Sequence, residues 1–276
     1  MTVGIAGLGL IGGSMARAIQ KHTAHRVLGY DINQSTLDAA LSQGAIDGVL
    51  ADDTLKECSV VLAALYPSAA VDYLITHKDH IAPGALAVDL CGVKRAVCGP
   101  LFEALQNAPF TYMGGHPMAG REYSGFSASR EDLFDRAPMI LTPMPGTSGQ
   151  VKRQAESFFL DVGFARVVFS TPEEHDRVIA LTSQLAHVVS GAYVRSPAAA
   201  VHSGFSAGSF QDMTRVARLH EGMWTELMMD NREDLSEELG GLIERLSEYK
   251  RALDEGDSQT LHALLALGRQ AKEALD

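Results

Sequence analysis

The chain has little of what several classes of protein require. It carries three cysteines in 276 residues, an odd number without metal-binding spacing, which argues against a disulfide framework and a zinc site. No apolar run approaches the roughly 18 residues of a membrane span, and the N-terminus lacks the basic stretch of a signal peptide. With a formal net charge of −11, the chain also lacks the basic surplus expected of a nucleic-acid-binding protein. These absences predict a cytoplasmic protein that binds neither membranes nor nucleic acid.

The residues that are present favour a globular protein with two domains. The composition is 46% hydrophobic and 21% charged, as in soluble proteins with a sizeable core. Short apolar segments alternate with helical patterns up to about residue 170, which predicts a mostly parallel, doubly wound α/β sheet. Beyond that point the patterns are helical, and the first of them predicts one long helix to about residue 194. We therefore predict domains at residues 1–170 and 171–276.

A glycine-rich turn near the N-terminus organises the first domain. The apolar run of residues 3–6 leads into a G-x-G-x-x-G pattern, in which the glycines make the turn, admit a pyrophosphate and pack helix on strand. A second apolar run ends at Asp31, about 20 residues after the last glycine, where an acid hydrogen-bonds the adenosine ribose. The pattern predicts a Rossmann dinucleotide-binding domain. Its expected cofactor-binding residues are Gly7, Leu8, Gly9, Leu10, Ile11, Gly12 and Asp31.

Asp31 also indicates which dinucleotide binds. A carboxylate that faces the ribose hydroxyls would repel a 2′-phosphate, and residues 32–34 contain no arginine to bind one. NAD is therefore favoured over NADP. At the same time Asp31 could serve as the N-cap of the helix predicted to begin near Ser35.

Polar residues near the predicted strand ends are candidates for chemistry. Lys94 follows one strand, although a solvated helix position explains it equally well. His116 ends another strand in a glycine-rich loop, where a histidine can take up a proton near neutral pH. Arg215, near a helix start, could pair with a carboxylate or form a surface salt bridge. His175 and His187 are too widely spaced on one helix to bind a metal, and capping or packing is the alternative for His175.

Together these stretches resemble one family, the prephenate and arogenate dehydrogenases of tyrosine biosynthesis, over nearly the whole chain. The matching stretches, in the family's order, are Gly7–Ser14, His116–Gly120 with Glu122 and Gly125, Glu174–Asp176, and Asp212–Arg215 with Trp224 and Asn231. The resemblance implies an N-terminal Rossmann domain with NAD and a C-terminal all-α dimerisation domain, hence a homodimer. It also implies oxidative decarboxylation of prephenate to 4-hydroxyphenylpyruvate, or of arogenate to tyrosine.

The resemblance assigns roles to individual residues. His116 matches the catalytic histidine that polarises the ring hydroxyl, and Arg215 matches the arginine that holds a substrate carboxylate. The implied substrate-binding set is Arg215, His187, Glu122, Gly92, Gln184 and Gln211. Some positions depart from the family's pattern: Gly92 replaces a frequent serine, Gln184 and Ala186 replace the usual histidine and proline, and Gln211 replaces a lysine of some members.

Two other classes of protein remain open from the residues. A β-hydroxyacid-type dehydrogenase would carry a catalytic lysine on a C-terminal helix, but the predicted helix 171–194 contains no lysine. A regulator that senses NAD without turnover would differ from an enzyme in whether His116 faces the nicotinamide.

Overall fold

The computed structural model describes residues 1–121 and 123–275, and within them eight strands form one sheet. The strands are β1 (Thr2–Ala6), β2 (Arg26–Tyr30), β3 (Gly48–Val49), β4 (Val60–Ala63), β5 (Leu86–Asp89), β6 (Thr111–Pro117), β7 (Pro138–Pro143) and β8 (Arg166–Phe169). The helices between them are α1 (Leu10–His22), α2 (Gln34–Ser42), α3 (Asp52–Leu55), α4 (Pro67–His77), α5 (Arg95–Ala104) and α6 (Gly149–Val162).

The sheet has the order β3-β2-β1-β4-β5-β6-β7-β8. Neighbouring strands run parallel, apart from the antiparallel pair of β6 and β7. The predicted doubly wound α/β class is thereby confirmed. Because the strand order reverses between β1 and β4, a crevice opens at their carboxyl ends, where ligands of such sheets bind.

Helices cover both faces of this sheet because its strands are apolar on both sides. One face buries side chains of α1, α2 and α6, among them Met15, Ile19 and Phe159. The other buries side chains of α4 and α5, among them Leu74 and Leu101. This double packing holds the carboxyl ends of β1, β4, β5 and β6 in fixed positions, so the residues that follow those strands are well placed to form a site.

The C-terminal part is helical, as predicted. Its elements are α7 (Pro172–Ile179), a π-helical segment (Ala180–Leu185), α8 (Ala186–Val194), α9 (Gly208–Thr214), α10 (Glu221–Asp230), α11 (Arg232–Asp254) and α12 (Ser258–Glu273). The Thr171 hydroxyl accepts a hydrogen bond from the Glu174 N–H and caps α7. The single long helix predicted over 171–194 is thus interrupted by a wider turn. None of the helices in the described residues combines the length and apolar character that a membrane crossing needs.

Candidate active site

The glycine-rich turn joins β1 to α1 with very little space. Gly7 has φ of +87°, which favours glycine, and a Cβ there would stand 2.5 Å from the Ala64 carbonyl oxygen. A Cβ on Gly12 would stand 1.8 Å from the Gly7 carbonyl oxygen. Around Gly9, by contrast, no atom of the described residues lies within 4 Å of such a Cβ, apart from those of Gly9 and its two neighbours in the chain. The turn therefore packs tightly at both ends and leaves room in the middle, at the N-terminus of α1, where an anion can bind.

Asp31 lies directly after β2 and faces this turn. Its Oδ2 accepts a hydrogen bond of 2.9 Å from the Leu8 N–H, and its Oδ1 accepts one of 2.9 Å from the Asn33 N–H. The interpretation of Asp31 as a helix cap is wrong, because the Asn33 side chain caps α2 by accepting from the Ser35 N–H. Asn33 stands nearer the helix start and can reach the orphan N–H, whereas Asp31 is held at the loop.

His116 lies near the end of β6 and is half-buried. Its Nδ1 is 2.8 Å from Nε2 of His175, which belongs to α7 of the helical part. Its Nε2 points toward Gly92, since a Cβ built on that glycine would stand 3.8 Å from Nε2 and 3.6 Å from a methyl carbon of Leu227. One nitrogen of the imidazole ring, Nδ1, is therefore engaged with another histidine. The other nitrogen, Nε2, borders a space that a side chain at position 92 would fill.

A buried carboxylate stands behind the two histidines. Asp176 Oδ1 is 2.7 Å from His175 Nδ1 and also accepts a 2.7 Å bond from the Lys94 N–H. Its Oδ2 accepts bonds from the N–H and the guanidinium of Arg95, at 2.8 and 3.3 Å. The Arg95 guanidinium also donates to Asn231, the residue before α11, and to Asp234 on α11. The start of α5 is therefore joined to α7 through Asp176 and to the start of α11 through Arg95.

Below His116 lies a second buried pair of charges. The Lys94 ammonium donates to the Asp89 carboxylate and, at 2.6 Å, to the Gly115 carbonyl oxygen. The Tyr112 hydroxyl donates to the other Asp89 oxygen at 2.7 Å. Lys94 and Asp89 are both fully buried. Because Lys94 is buried, it does not occupy the solvated helix position that was its alternative interpretation. Its ammonium group instead holds the end of β6, on which His116 stands.

These surroundings change the proton affinities of the site. Burial, with the neighbouring His175 and Lys94, holds the pKa of His116 well below its ordinary value of 6.5. Burial also lowers the pKa of His175, against the influence of Asp176. For Asp176 burial works upward, but the hydrogen bonds from His175, Arg95 and Lys94 prevail and lower its pKa. At neutral pH the site therefore holds two neutral histidines and one carboxylate.

The π-helical segment changes which side chains face the site. The buried residues come in adjacent pairs, namely His175 and Asp176, Ile179 and Ala180, and Gln184 and Leu185. The second pair follows the first after four residues, whereas the third follows the second after five, across the π-helical segment. A π turn accommodates one residue more than an α turn, so the buried side of the helix continues without rotating away. Gln184 and His187, three residues apart, consequently share the side of the helix that carries His175.

Gln184 is buried and holds helices together. Its Nε2 donates to the Leu227 carbonyl oxygen at 3.0 Å, and its Oε1 accepts from Asn231 Nδ2 at 2.9 Å. These bonds place the amide between the π-helical segment, α10 and α11. Substrate binding by Gln184 stays a prediction, and the structure shows a connecting role beside it.

A cavity of about 520 Å³ lies in the helical part. His187, Asp212 and Arg215 line it, together with apolar side chains such as Leu185 and Val216. His187 donates from Nδ1 to the Val216 carbonyl oxygen at 2.9 Å, since a carbonyl can only accept, and this leaves its Nε2 as an acceptor. The cavity therefore combines a guanidinium with a hydrogen-bond acceptor, which suits a carboxylate and a hydroxyl or ammonium group.

Helix α10 links this cavity to His116. The Trp224 ring lies 4.0 Å from the His187 ring, measured between centroids. Leu227, three residues further and on the same side of α10, reaches the space beside Gly92 and His116. The N-terminal end of α4 is also tied to α10, because Ser68 donates to Glu226 at 3.0 Å. His116 and His187 thus both lie beside α10, His187 next to Trp224 and His116 next to Leu227.

The remaining predicted residues are placed as follows. Leu8 is buried, and Leu10 and Ile11 begin α1 with half-buried side chains. Gln211 is exposed on α9. Glu122 lies outside the described residues. The structure brings His116 together with three groups whose contacts the sequence did not reveal, namely His175, Asp176 and Lys94; only the Glu174–Asp176 stretch of the resemblance pointed to the first two.

The tight turn, the acid after β2 and the histidine at the end of β6 define a dinucleotide-binding protein with a histidine at the mouth of its sheet. The family model described as the nucleotide-binding domain of prephenate dehydrogenase matches residues 15–169, and that of its dimerization domain matches residues 171–267. The chain belongs to the prephenate dehydrogenase family.

Individual relatives resemble the chain over both domains. It is 30% identical to the prephenate dehydrogenase of Bacillus subtilis, over 99% of this chain and 76% of the relative. It is also 30% identical to the cyclohexadienyl dehydrogenase of Zymomonas mobilis, over 99% of this chain and 95% of the relative. The structure of the Aquifex aeolicus prephenate dehydrogenase in complex with hydroxyphenyl propionate and NAD⁺ matches with a TM-score of 0.85 at 26% identity, over 100% of this chain and 98% of that one.

Proposed function

We propose that the protein is an NAD-dependent dehydrogenase that converts prephenate to 4-hydroxyphenylpyruvate by oxidative decarboxylation. Arogenate, converted to tyrosine by the same chemistry, is the alternative substrate. The observation that carries the proposal is the position of His116, whose Nε2 borders the space beside Gly92 while Nδ1 is held by His175. Relatives over the full chain are dehydrogenases of prephenate or of cyclohexadienyl substrates.

The residues of the turn fit the cofactor. The space above Gly9 and the first N–H groups of α1 suit a pyrophosphate, and a Cβ at Gly9 would occupy that space. The Asp31 carboxylate, held by the Leu8 N–H, stands where an adenosine ribose would be bound and would repel a 2′-phosphate. When bound, NAD accepts a hydride from the ring carbon that bears the hydroxyl group.

The protein side chains supply the rest of the chemistry. As the ring carbon loses hydride, His116 Nε2 takes the hydroxyl proton, and the C–O bond becomes a carbonyl. The C–C bond to the ring carboxylate then breaks, CO₂ leaves, and the electron pair of that bond enters the ring, which becomes an aromatic phenolate. The phenolate oxygen takes the proton back from His116 Nε2, so the product is a phenol and the histidine is neutral again. We assign Arg215 to a substrate carboxylate that stays bound throughout.

The test is direct. Purified protein with NAD should form NADH, followed by its absorbance, when prephenate or arogenate is added, and the ratio of the two kcat/KM values decides the preferred substrate. No NADH from either compound would overturn the proposal and would favour a protein that binds the dinucleotide without turnover. The two substrates differ in their side chain, which is a keto acid in prephenate and an amino acid in arogenate, so the comparison shows which side chain the protein prefers.

Arg215→Ala is expected mainly to raise KM for the substrate, by about 30- to 150-fold, or roughly 2–3 kcal/mol for a charge-assisted pair. The substrate carboxylate carries its charge in the ground state and in the transition state, so kcat should change far less. Steady-state kinetics at saturating NAD measure both constants. Arg218→Ala, an exposed arginine three residues away, is the matched control. A loss confined to kcat would contradict the assignment.

Asp31→Asn is expected to weaken NAD binding by roughly 1–2 kcal/mol and to relax the discrimination against NADP, since the charge that bonds the ribose and repels a phosphate is removed. Asparagine keeps one oxygen that can accept from the Leu8 or Asn33 N–H, so the loop is preserved better than with alanine. Titration of both dinucleotides gives the ratio. Equal NAD to NADP ratios in the variant and the parent would refute this role.

We propose a homodimer formed by the helical domain, with the domains divided between residues 170 and 171. Large apolar side chains of this part are more than half exposed in the single chain, among them Ile243, Leu246 and Leu265. Such surface is normally covered in an assembly, and residues 171–267 match a dimerization domain. Sedimentation at micromolar concentration should give twice the mass of the 29.6 kDa chain. A species of 29.6 kDa would contradict the dimer.

The cytoplasmic location stays a prediction.

A further inference from the structure

The two histidines and the aspartate form a continuous hydrogen-bonded row. It runs from His116 Nδ1 to His175 Nε2 over 2.8 Å, and from His175 Nδ1 to Asp176 Oδ1 over 2.7 Å. Asp176 is fully buried and His175 almost so. In a row of this kind each ring nitrogen is either a donor or an acceptor, and fixing one end fixes every other position.

The Asp176 end of the row is fixed. Its carboxylate accepts from the backbone N–H groups of Lys94 and Arg95 at the start of α5 and from the Arg95 guanidinium, which favours the charged form. A carboxylate can only accept, so His175 Nδ1 must carry the hydrogen. In the neutral ring His175 Nε2 is then an acceptor, and His116 Nδ1 must donate to it.

We propose that His175, anchored by Asp176, is a positioning residue that holds neutral His116 in the tautomer whose Nε2 lone pair faces the substrate hydroxyl. This inference deepens the proposed function, since it explains how His116 is prepared to accept that proton. His175 touches neither the hydroxyl nor the cofactor in this role. It acts through the ring of His116 alone.

The other neighbours of His116 leave this choice to His175. Position 92 is a glycine, and the apolar Leu227 stands beside the same space. The Lys94 ammonium is directed to Asp89 and to the Gly115 carbonyl oxygen. The nearest atoms around a Cβ at position 92 are thus the Leu227 methyl groups and His116 Nε2 itself, and the hydrogen bond of the His116 ring within the described residues is the one from Nδ1 to His175.

The same row favours proton uptake at Nε2. When the hydroxyl proton arrives there, the ring becomes an imidazolium whose Nδ1–H already donates to His175, and the positive charge lies two hydrogen bonds from the Asp176 anion. No group needs to rotate to meet the new charge. Because the rings share one hydrogen bond, they take up this proton as a pair.

The tautomer can be observed without any substrate. In protein labelled with ¹⁵N-histidine, two-bond ¹H–¹⁵N correlation spectra distinguish a ring nitrogen that carries hydrogen from one that does not, and His116→Asn identifies the His116 signals. Near neutral pH we expect hydrogen on Nδ1 of both His116 and His175. A His116 ring with hydrogen on Nε2 in the wild-type protein would overturn the proposal, whatever the substrate of the enzyme.

Two substitutions of His175 separate positioning from packing. His175→Leu fills the site but offers no acceptor, so His116 should populate both tautomers and kcat should fall about 10²-fold. His175→Gln can direct its amide N–H to Asp176 and its carbonyl oxygen to His116 Nδ1, so kcat should return to within about tenfold of the wild-type value. KM for substrate and NAD should change less than about threefold in both variants.

Thermal unfolding of each variant controls for folding. If His175→Leu does not fold, the wild-type spectrum and the His175→Gln variant still test the proposal. Equal losses of kcat in the two variants, with His116 keeping hydrogen on Nδ1 in His175→Leu, would reject a positioning role. If the wild-type protein turns over neither prephenate nor arogenate, the proposed function fails, whereas the spectra still decide the tautomer.

Discussion

His116→Asn is expected to lower kcat by about 10²–10⁴-fold with a much smaller change in KM. In the proposed mechanism the His116 imidazole interacts most strongly while the hydroxyl proton is leaving, and a positioned base contributes rate enhancements of about this size. The asparagine amide can still donate to His175, but it offers no basic nitrogen at the place of His116 Nε2 to take up the proton. Steady-state kinetics with the better of the two substrates measure the loss.

The pH profile of the same variant gives an independent check. An unperturbed histidine would place the acid limb near pH 6–7, but the lowered pKa of His116 keeps the ring neutral to lower pH. Activity should therefore hold as pH falls through 6.5 and decline only below it, when the ring becomes protonated. This limb should disappear in His116→Asn and persist in His262→Asn, a control at an exposed histidine of α12. An unchanged limb in His116→Asn would mean that another group is the base.

Gly12→Ala should abolish NAD binding and destabilise the fold. The added Cβ would stand 1.8 Å from the Gly7 carbonyl oxygen, a backbone atom that cannot rotate away, so α1 must move relative to β1. Overpacking of this kind costs about 3 kcal/mol or more, which lowers Tm by roughly 6–12 °C in a protein of this size. Calorimetry and NAD titration measure the two effects.

Gly9→Ala is the matched variant within the same turn. Beyond its neighbours in the chain, its Cβ would meet no atom of the described residues within 4 Å, so the unfolding temperature should stay near that of the parent. The new methyl group would occupy the space proposed for the pyrophosphate, and NAD affinity should fall at least about tenfold. If Gly9→Ala binds NAD normally, the cofactor does not lie over this glycine.

Features that depend on neighbouring residues could be predicted from the sequence. The turn between β1 and α1 is local, because its glycines, the apolar strand before them and the helix after them lie within about 20 residues. The position of Asp31 beside this turn could be predicted because the spacing from glycine to acid follows from one βαβ unit. The position of His116 at the mouth of the sheet could be predicted because it follows an apolar strand of a mostly parallel sheet.

Features that depend on contacts between distant segments could not be predicted from the sequence. His175 lies 59 residues from His116, and no pattern in the sequence measures the distance between their rings. Lys94 reads as a helix residue until β5 and β6 are placed side by side. The π-helical segment contains neither glycine nor proline, so nothing in Ala180–Leu185 signals a change of turn. The antiparallel direction of β7 could not be predicted for a similar reason. The direction in which two strands pair depends on how the long connection between them is folded.

The hydrogen-bonded row has a consequence for the modularity of the enzyme. His116, the proposed base, stands on the sheet of the first domain, whereas His175, which we propose orients it, belongs to α7 of the second. Arg95 ties α5 to the start of α11 across the same boundary. A nucleotide-binding domain joined to a different helical domain would keep His116 but lose the contact with His175 that we propose fixes which ring nitrogen of His116 carries the hydrogen. Recombination within the family should therefore succeed where both halves of this contact are exchanged together, and chimaeras that divide it should bind the dinucleotide while turning over slowly.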